Sequence, residues 1–200
     1  MNLLDSCYEK CLNGIPKVSP SVENMAADYL KKHKSTEEAC RAMLRNQVVK
    51  CTTSGVITGF GGFITMPVTI PANVGSVIYV QMRMIACVAY MANYELNSDQ
   101  TQTFVYACLA GVAVNSLVKQ AGIKFGTKGI VNLGKLLPGV GAVVGGGLDL
   151  VETKIIADRA YKWFLKGDFS VKGEEEDEAI EIDEADLENV SEIGSFPQND

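Results

Sequence analysis

A run of 32 consecutive residues, from Cys51 to Met82, contains no charged side chain. A bilayer core accommodates about 20 apolar residues as one helix, so the run is long enough to cross a membrane. It also contains Pro67 and Pro71, and a proline lacks a backbone N–H and clashes with the preceding helical turn. The run therefore predicts two apolar helices, about 51–65 and 72–94, that form a hairpin broken at the prolines.

Two environments suit this hairpin. A helix that is apolar on nearly all sides is expected at the centre of a soluble bundle and also in lipid. Glycines spaced four residues apart, such as Gly55 and Gly59, favour close helix packing in either setting. The sequence alone leaves both interpretations open.

The net charge of −6 combines two regions of opposite sign. Residues 1–166 contain 17 Lys and Arg against 11 Asp and Glu, a net charge of +6. Residues 167–200 contain 13 acidic side chains against Lys172 alone, a net charge of −12. A basic body suits an anionic surface, and an acidic tail can compete with that surface for the body.

Helical periodicity and capping residues organise the rest of the chain. A capping box of Ser35 and Glu38 predicts the start of one helix. Further helices are predicted at about 2–13, 20–33, 99–121 and 148–166, and no segment alternates as a strand does. The prediction is an all-α fold: a single compact helical bundle that contains the Pro-broken hairpin.

The predicted domain covers residues 1–166, and residues 167–200 form an acidic tail with the composition of a disordered segment. Scattered apolar residues in this tail leave open that a short piece of it docks on the body. These residues are Ile180, Ile182, Leu187 and Val190.

Catalytic and metal-binding patterns are weak. The only histidine, His33, lies among lysines, which predicts a solvated loop residue rather than part of a Ser-His or Cys-His pair. Six scattered cysteines predict buried, reduced thiols rather than disulfides or a metal site. The glycine clusters lack the spacing of nucleotide-binding loops, so no cofactor is expected.

Arg83 is the only charged residue between Lys50 and Glu95. A buried guanidinium requires a partner, because an unpaired buried charge costs several kcal/mol. We predict that Arg83 forms an ion pair with Asp149 or Glu152, which tie the central helix to the last one. The same three residues would line the pocket of an enzyme, if the chain is one.

Six residues are predicted to contact a membrane if the chain binds one. Phe60 and Phe63 belong to the glycine-rich part of the hairpin. The other four lie in the amphipathic helix 148–166, which combines apolar burial with attraction to anionic lipid. They are Trp163, Lys154, Arg159 and Lys162.

Several uncommon strings, in this order, resemble the EcsC protein family. The first is Gly59-Phe60-Gly61-Gly62-Phe63, which continues to Val74. The others are Tyr79 to Ala86, Tyr106 to Gly111, Gly129 to Lys135 and Pro138 to Asp149. The resemblance covers about residues 40–166, but the stretch between Lys124 and Lys128 is shorter than in that family.

This resemblance implies a bacterial, intracellular, helical protein of a family named after the third member of an operon that encodes an ABC transporter. It implies no reaction and no catalytic residues. The chain also shows no secretory signal or lipidation motif, so we expect a cytoplasmic protein, at the cytoplasmic face of the membrane if it binds lipid.

Three functions follow from these patterns. The first is a non-catalytic protein that associates with an anionic membrane surface or a membrane complex such as a transporter, peripherally or partly inserted through its hairpin. The second is a soluble interaction or scaffold module whose hairpin is buried core. The third is a small-molecule-binding or hydrolytic enzyme. Nucleic acid is not expected as a partner, because few exposed aromatic residues interleave with the lysines.

Overall fold

Helices make up the regular structure of the part of the chain that the computed structural model describes, which is residues 3–16, 19–52, 72–111, 150–169 and 180. These residues form six α-helices and a π-helical turn, without a β-strand, which confirms the all-α prediction. The α-helices are α1 (Leu3–Asn13), α2 (Val22–Lys32), α3 (Thr36–Thr52), α4 (Ala72–Met91), α5 (Asp99–Ala110) and α6 (Leu150–Ala160). The π-helical turn is Tyr161–Leu165 and continues α6.

Serine side chains fix the starts of three helices. At α3, the Glu38 N–H donates to Ser35 Oγ at 3.1 Å, as the capping box predicts. The Glu38 carboxylate accepts from the Lys34 N–H at 3.1 Å, one residue earlier than the usual capping-box partner. Ser21 and Ser98 cap α2 and α5 in the same way.

Helix α4 lies at the centre of the bundle and contacts each of the other five α-helices. From Tyr79 to Met91, every side chain except that of Tyr90 is buried. This stretch is apolar around its circumference because other helices surround it. Residues 53–71, with most of the first helix of the predicted hairpin and both prolines, lie outside the described residues. None of the helices in the described ranges combines the length and hydropathy needed to cross a bilayer.

The loop between α1 and α2 is attached to α4 by side-chain hydrogen bonds. Gly14 ends α1 with φ +74°, and a Cβ atom there would lie 2.5 Å from the carbonyl oxygen of Ser19, so glycine is required. The hydroxyl groups of Ser19 and Tyr79 share a hydrogen bond of 2.7 Å. Arg83 Nη2 donates to the Pro20 carbonyl at 2.8 Å, which ties the same loop to the middle of α4.

Helix α5 is shorter than the predicted 99–121. It ends at Ala110 because Gly111 adopts the left-handed conformation, with φ +66°, and its N–H bonds back to the last turn. Residues 112–149 lie outside the described part of the chain.

Two residues beyond position 166, the predicted end of the domain, pack against the body. The ring of Phe169 packs against Phe104 of α5 and Trp163 of the π-helical turn, with centroids 5.2 and 5.7 Å away. Ile180 is also part of the core, with 1% of its surface exposed. The start of the acidic tail therefore contributes apolar side chains to the bundle.

Candidate functional site

Three charged residues share the outer side of α6 and the turn that follows. Lys154, Asp158 and Lys162 are spaced four residues apart, which places them on one helix face. All three are partly exposed, whereas Ile156 and Ala157 are buried. We call these three charged residues the α6 outer face. It holds two of the lysines that the sequence predicts as membrane contacts.

Trp163 is not a surface residue. Its side chain has no exposed surface and packs against Phe169. Contact between Trp163 and a membrane would require the indole to leave this buried position. The turn that carries Trp163 contacts α3 and α4, and its packing there and against Phe169 removes a large aromatic surface from water.

Arg159 is also directed at protein rather than at a surface. Its Nη1 donates to the carbonyl oxygen of Cys108 at 2.7 Å, in the last turn of α5. A Cβ atom on Gly111 would lie 3.3 Å from the same guanidinium group. A cation at the carboxyl end of a helix satisfies free carbonyl groups and the helix dipole. Arg159 thus acts as a cap for α5, and its predicted contact with a membrane stays a prediction.

The π-helical turn carries a polar cluster that joins it to α3. The hydroxyl of Tyr161 donates to Glu37 Oε1, and Arg41 Nη2 donates to both Glu37 Oε1 at 3.3 Å and the Tyr161 hydroxyl at 3.1 Å. Lys166 Nζ lies 2.9 Å from Glu37 Oε1. Both cations also lie over the Tyr161 ring, at 5.1 and 5.5 Å from its centroid. We call Glu37, Arg41, Tyr161 and Lys166 the π-turn cluster.

The charge balance of the π-turn cluster favours an ionised carboxylate. The hydrogen bonds from Tyr161 and then Lys166 hold the pKa of Glu37 at about 2, below its ordinary value of 4.5. The side chains of Glu37, Arg41 and Lys166 are 44–49% exposed, so solvent screens these contacts. The cluster places two cations and one anion at the surface between α3 and the π-helical turn.

Ile180 binds directly at the α6 outer face. Its backbone N–H donates to Asp158 Oδ1 at 2.9 Å, and its side chain is buried in the core. This is the docking that the sequence left open for the apolar residues of the tail. Periodicity gave no signal for it, because a single isoleucine between acidic residues has the composition of a disordered segment.

The predicted partners of Arg83 lie outside the described side chains. Arg83 is 4% exposed and donates to the Pro20 carbonyl, a partner that the sequence does not predict. Its Nε atom has no hydrogen-bond partner among the residues that the structure describes. The ion pair with Asp149 or Glu152 stays a prediction.

The cysteine thiols of the described structure are poorly suited to nucleophilic chemistry. Five cysteines there are buried and form no disulfide with one another: Cys7, Cys11, Cys40, Cys87 and Cys108. Burial raises the pKa of the Cys7 thiol to about 11 and of the Cys40 and Cys108 thiols to about 12. A thiol with such a pKa is protonated at neutral pH and is a weak nucleophile.

His33 lies beside an aromatic side chain of α2. It follows α2, is partly exposed, and stacks on Tyr29 with 6.3 Å between ring centroids. Among the described residues, no three His, Cys, Asp or Glu side chains are grouped as metal ligands would be. Phe60 and Phe63 lie outside the described ranges.

A small cleft lies away from Arg83. It has a volume of about 200 Å³ and lies between α1 and the segment that joins α4 to α5. Asp5, Glu9 and Gln102 contribute to its lining, and Arg83 does not. This cleft therefore gives no support to the enzyme interpretation, which requires Arg83, Asp149 and Glu152 to converge.

Comparisons with known proteins return no match, whether with family models, curated proteins or solved structures. The resemblance to the EcsC family accordingly stays a prediction that rests on the sequence strings between Gly59 and Asp149.

Proposed function

We propose that this chain is a non-catalytic, peripheral protein that binds an anionic membrane surface by electrostatic attraction. The observation that carries the proposal is a set of exposed cations on connected elements, and the burial of α4 favours binding by charge over insertion. Between Tyr79 and Met91, the most apolar helix of the described structure is enclosed by five other helices. Apolar side chains that are already buried in protein gain nothing from lipid. This part of the chain would therefore bind a membrane through the charges on its surface.

The described structure offers basic side chains for that contact on connected elements. Lys166 and Arg41 meet at Glu37, and Lys34 precedes the same first turn of α3. Lys162 is four residues before Lys166 and belongs to the α6 outer face. Lys32 lies in the last turn of α2. We propose that these cations act together as one basic face: Lys32, Lys34, Arg41, Lys154, Lys162 and Lys166.

The magnitude is sufficient for reversible binding. A basic residue near an anionic leaflet contributes about 1 kcal/mol. Several such residues acting together bring a chain to a membrane without insertion, and salt weakens the attraction. The resemblance to the EcsC family supports a position beside a membrane complex such as a transporter, which the bound protein would regulate.

Vesicle co-sedimentation tests this proposal with the full chain. The probes are phosphatidylcholine vesicles and phosphatidylcholine vesicles that contain phosphatidylserine, each at low and high salt. We expect binding to the anionic vesicles alone, and weaker binding at high salt.

A matched pair of variants tests the position of the contact. Lys34→Gln removes one charge from the basic face and is expected to weaken binding about fivefold, which corresponds to about 1 kcal/mol. Lys10→Gln removes one charge from α1, beside Glu9 of the acidic cleft. It is expected to leave binding within about twofold. Equal losses from both variants would contradict a defined basic face.

A second function is favoured by the same burial of α4, which is equally expected of a soluble interaction module. In that case the basic face binds an acidic protein rather than lipid. This second function would be favoured over the first if neither the full chain nor an Ile180→Ser variant, in which the tail is released from the body, bound anionic vesicles at low salt.

A further inference from the structure

We propose that Ile180 is a clip that holds the acidic tail against the basic face and thereby weakens membrane binding in cis. The inference rests on the proposed function for its membrane readout. The clip itself is a contact within the chain and is tested separately below.

The clip has two components. The Ile180 side chain is 1% exposed, so it is buried in the core rather than lying on the surface. Its backbone N–H donates to Asp158 Oδ1 at 2.9 Å. A hydrogen bond to a carboxylate is stronger than one between neutral groups and fixes the backbone at this point. One residue of the tail is therefore held by both apolar burial and a directed polar contact.

The position of the clip gives it an electrostatic consequence. Asp158 lies between Lys154 and Lys162 on the α6 outer face, four residues from each. These two lysines belong to the basic face. The tail is therefore anchored among cations that the proposed function assigns to the membrane.

The sequence around the clip is strongly acidic. Residues 174–186 include nine Asp and Glu and no Lys or Arg. Chain connectivity keeps the two residues on either side of Ile180, which include Glu178 and Glu181, within about 7 Å of it, because an extended chain spans at most 3.6 Å per residue. The screening length at physiological ionic strength is about 8 Å. Anionic side chains tethered at this distance reduce the positive potential that a leaflet would meet.

The tail and the leaflet are thus competitors for one surface. Both are anionic, and both are attracted by Lys154 and Lys162. Release of Ile180 removes the tether, so the acidic residues spend less time near the basic face and binding to an anionic membrane strengthens. Attachment of the tail at Ile180 thus sets the affinity of the body for an anionic membrane.

The test compares Ile180→Ser with Ile193→Ser in the full chain. Neither substitution changes charge, and Ile193 lies further along the same acidic tail. Ile180→Ser is expected to raise the affinity for phosphatidylserine-containing vesicles about fivefold or more, the effect of freeing one or two lysines. Ile193→Ser is expected to bind like the original chain.

Limited proteolysis with a glutamate-specific protease tests, without a membrane, whether Ile180 holds the tail against the body. We expect Ile180→Ser to be cleaved after Glu178 and Glu181 faster than the original chain and Ile193→Ser. Unchanged cleavage would overturn the clip. Faster cleavage with unchanged vesicle affinity would overturn its regulatory effect, while the proposed function stands. If no form binds anionic vesicles at low salt, the proposed function fails, and the regulatory effect fails with it.

Discussion

Arg83 carries a positive charge in the core and forms a hydrogen bond with the loop between α1 and α2. Its guanidinium group donates to the Pro20 carbonyl from the middle of α4. Arg83→Met would remove this donor and leave the carbonyl to find another partner. A hydrogen bond that involves a charged group contributes about 1.5–3 kcal/mol. We expect Arg83→Met to lower the free energy of unfolding by about that amount in denaturant titrations.

A double-mutant cycle separates the two partners considered for Arg83. If Asp149 pairs with it, Arg83→Met and Asp149→Asn are non-additive by more than about 0.5 kcal/mol, and the same test applies to Glu152→Gln. Additive effects of both pairs would contradict the predicted ion pair and leave the Pro20 carbonyl as the partner. An Arg83→Met chain as stable as the original would contradict both.

The sequence predicted that Arg83 needs a partner but not which one. The requirement follows from desolvation of a lone charge in an apolar helix. The partner does not follow, because every residue carries a carbonyl oxygen and no pattern marks the one at Pro20. Arg159 illustrates the same limit: its amphipathic position suggested a surface charge, whereas it donates to the Cys108 carbonyl.

At the scale of elements, the end of α5 depends on Gly111 and Arg159 together. Gly111→Ala is expected to cost about 1–2 kcal/mol for its left-handed backbone, and more because the new Cβ would lie 3.3 Å from the Arg159 guanidinium. Gly167 is the matched control. It has φ +71° and no atom within 4 Å of a Cβ. Gly167→Ala thus reports the backbone cost alone.

Denaturant unfolding of both glycine variants measures the difference. We expect Gly111→Ala to be the less stable, since Arg159 must move and weaken its bond to α5. Equal losses in the two variants would mean that the contact between Arg159 and the end of α5 contributes nothing to stability.

The junction of α3 with the π-helical turn is expected to be sensitive to acid. The pKa of Glu37 is about 2 in the folded chain and near 4.5 without its partners. Because the folded pKa is the lower one, the ionised carboxylate stabilises the fold above pH about 4.5, and this contribution is lost as the pH falls toward 2. Unfolding measured against pH should show Glu37→Gln less stable than the original chain at pH 7.

The stability difference between Glu37→Gln and the original chain is then expected to shrink steadily between pH 4.5 and 2. A difference that is independent of pH over this range would contradict the account of the π-turn cluster. The sequence did not reveal this cluster, because Glu37 and Tyr161 are 124 positions apart. The helix starts at Ser21, Ser35 and Ser98 were predictable, because capping is local.

The function of the whole molecule depends on whether its apolar helices contact protein or lipid. Composition predicted an all-α bundle but left the hairpin open between core and lipid, since both environments favour the same residues. The burial of α4 from Tyr79 to Met91 is a tertiary property that depends on α1, α2, α3, α5 and α6 at once. For the same reason, the docking of Ile180 was an open alternative, because one apolar residue carries no periodicity.

If charge brings an intact bundle to a membrane, Trp163 stays buried in the bound protein and can report on this. Trp163 is the only tryptophan and has no exposed surface. The measurement is its fluorescence in protein bound to phosphatidylserine vesicles whose acyl chains carry bromine, which quenches nearby indole. We expect the protein to bind these vesicles with unchanged Trp163 emission. Quenching upon binding would show that the indole enters lipid and would contradict a peripheral, intact bundle.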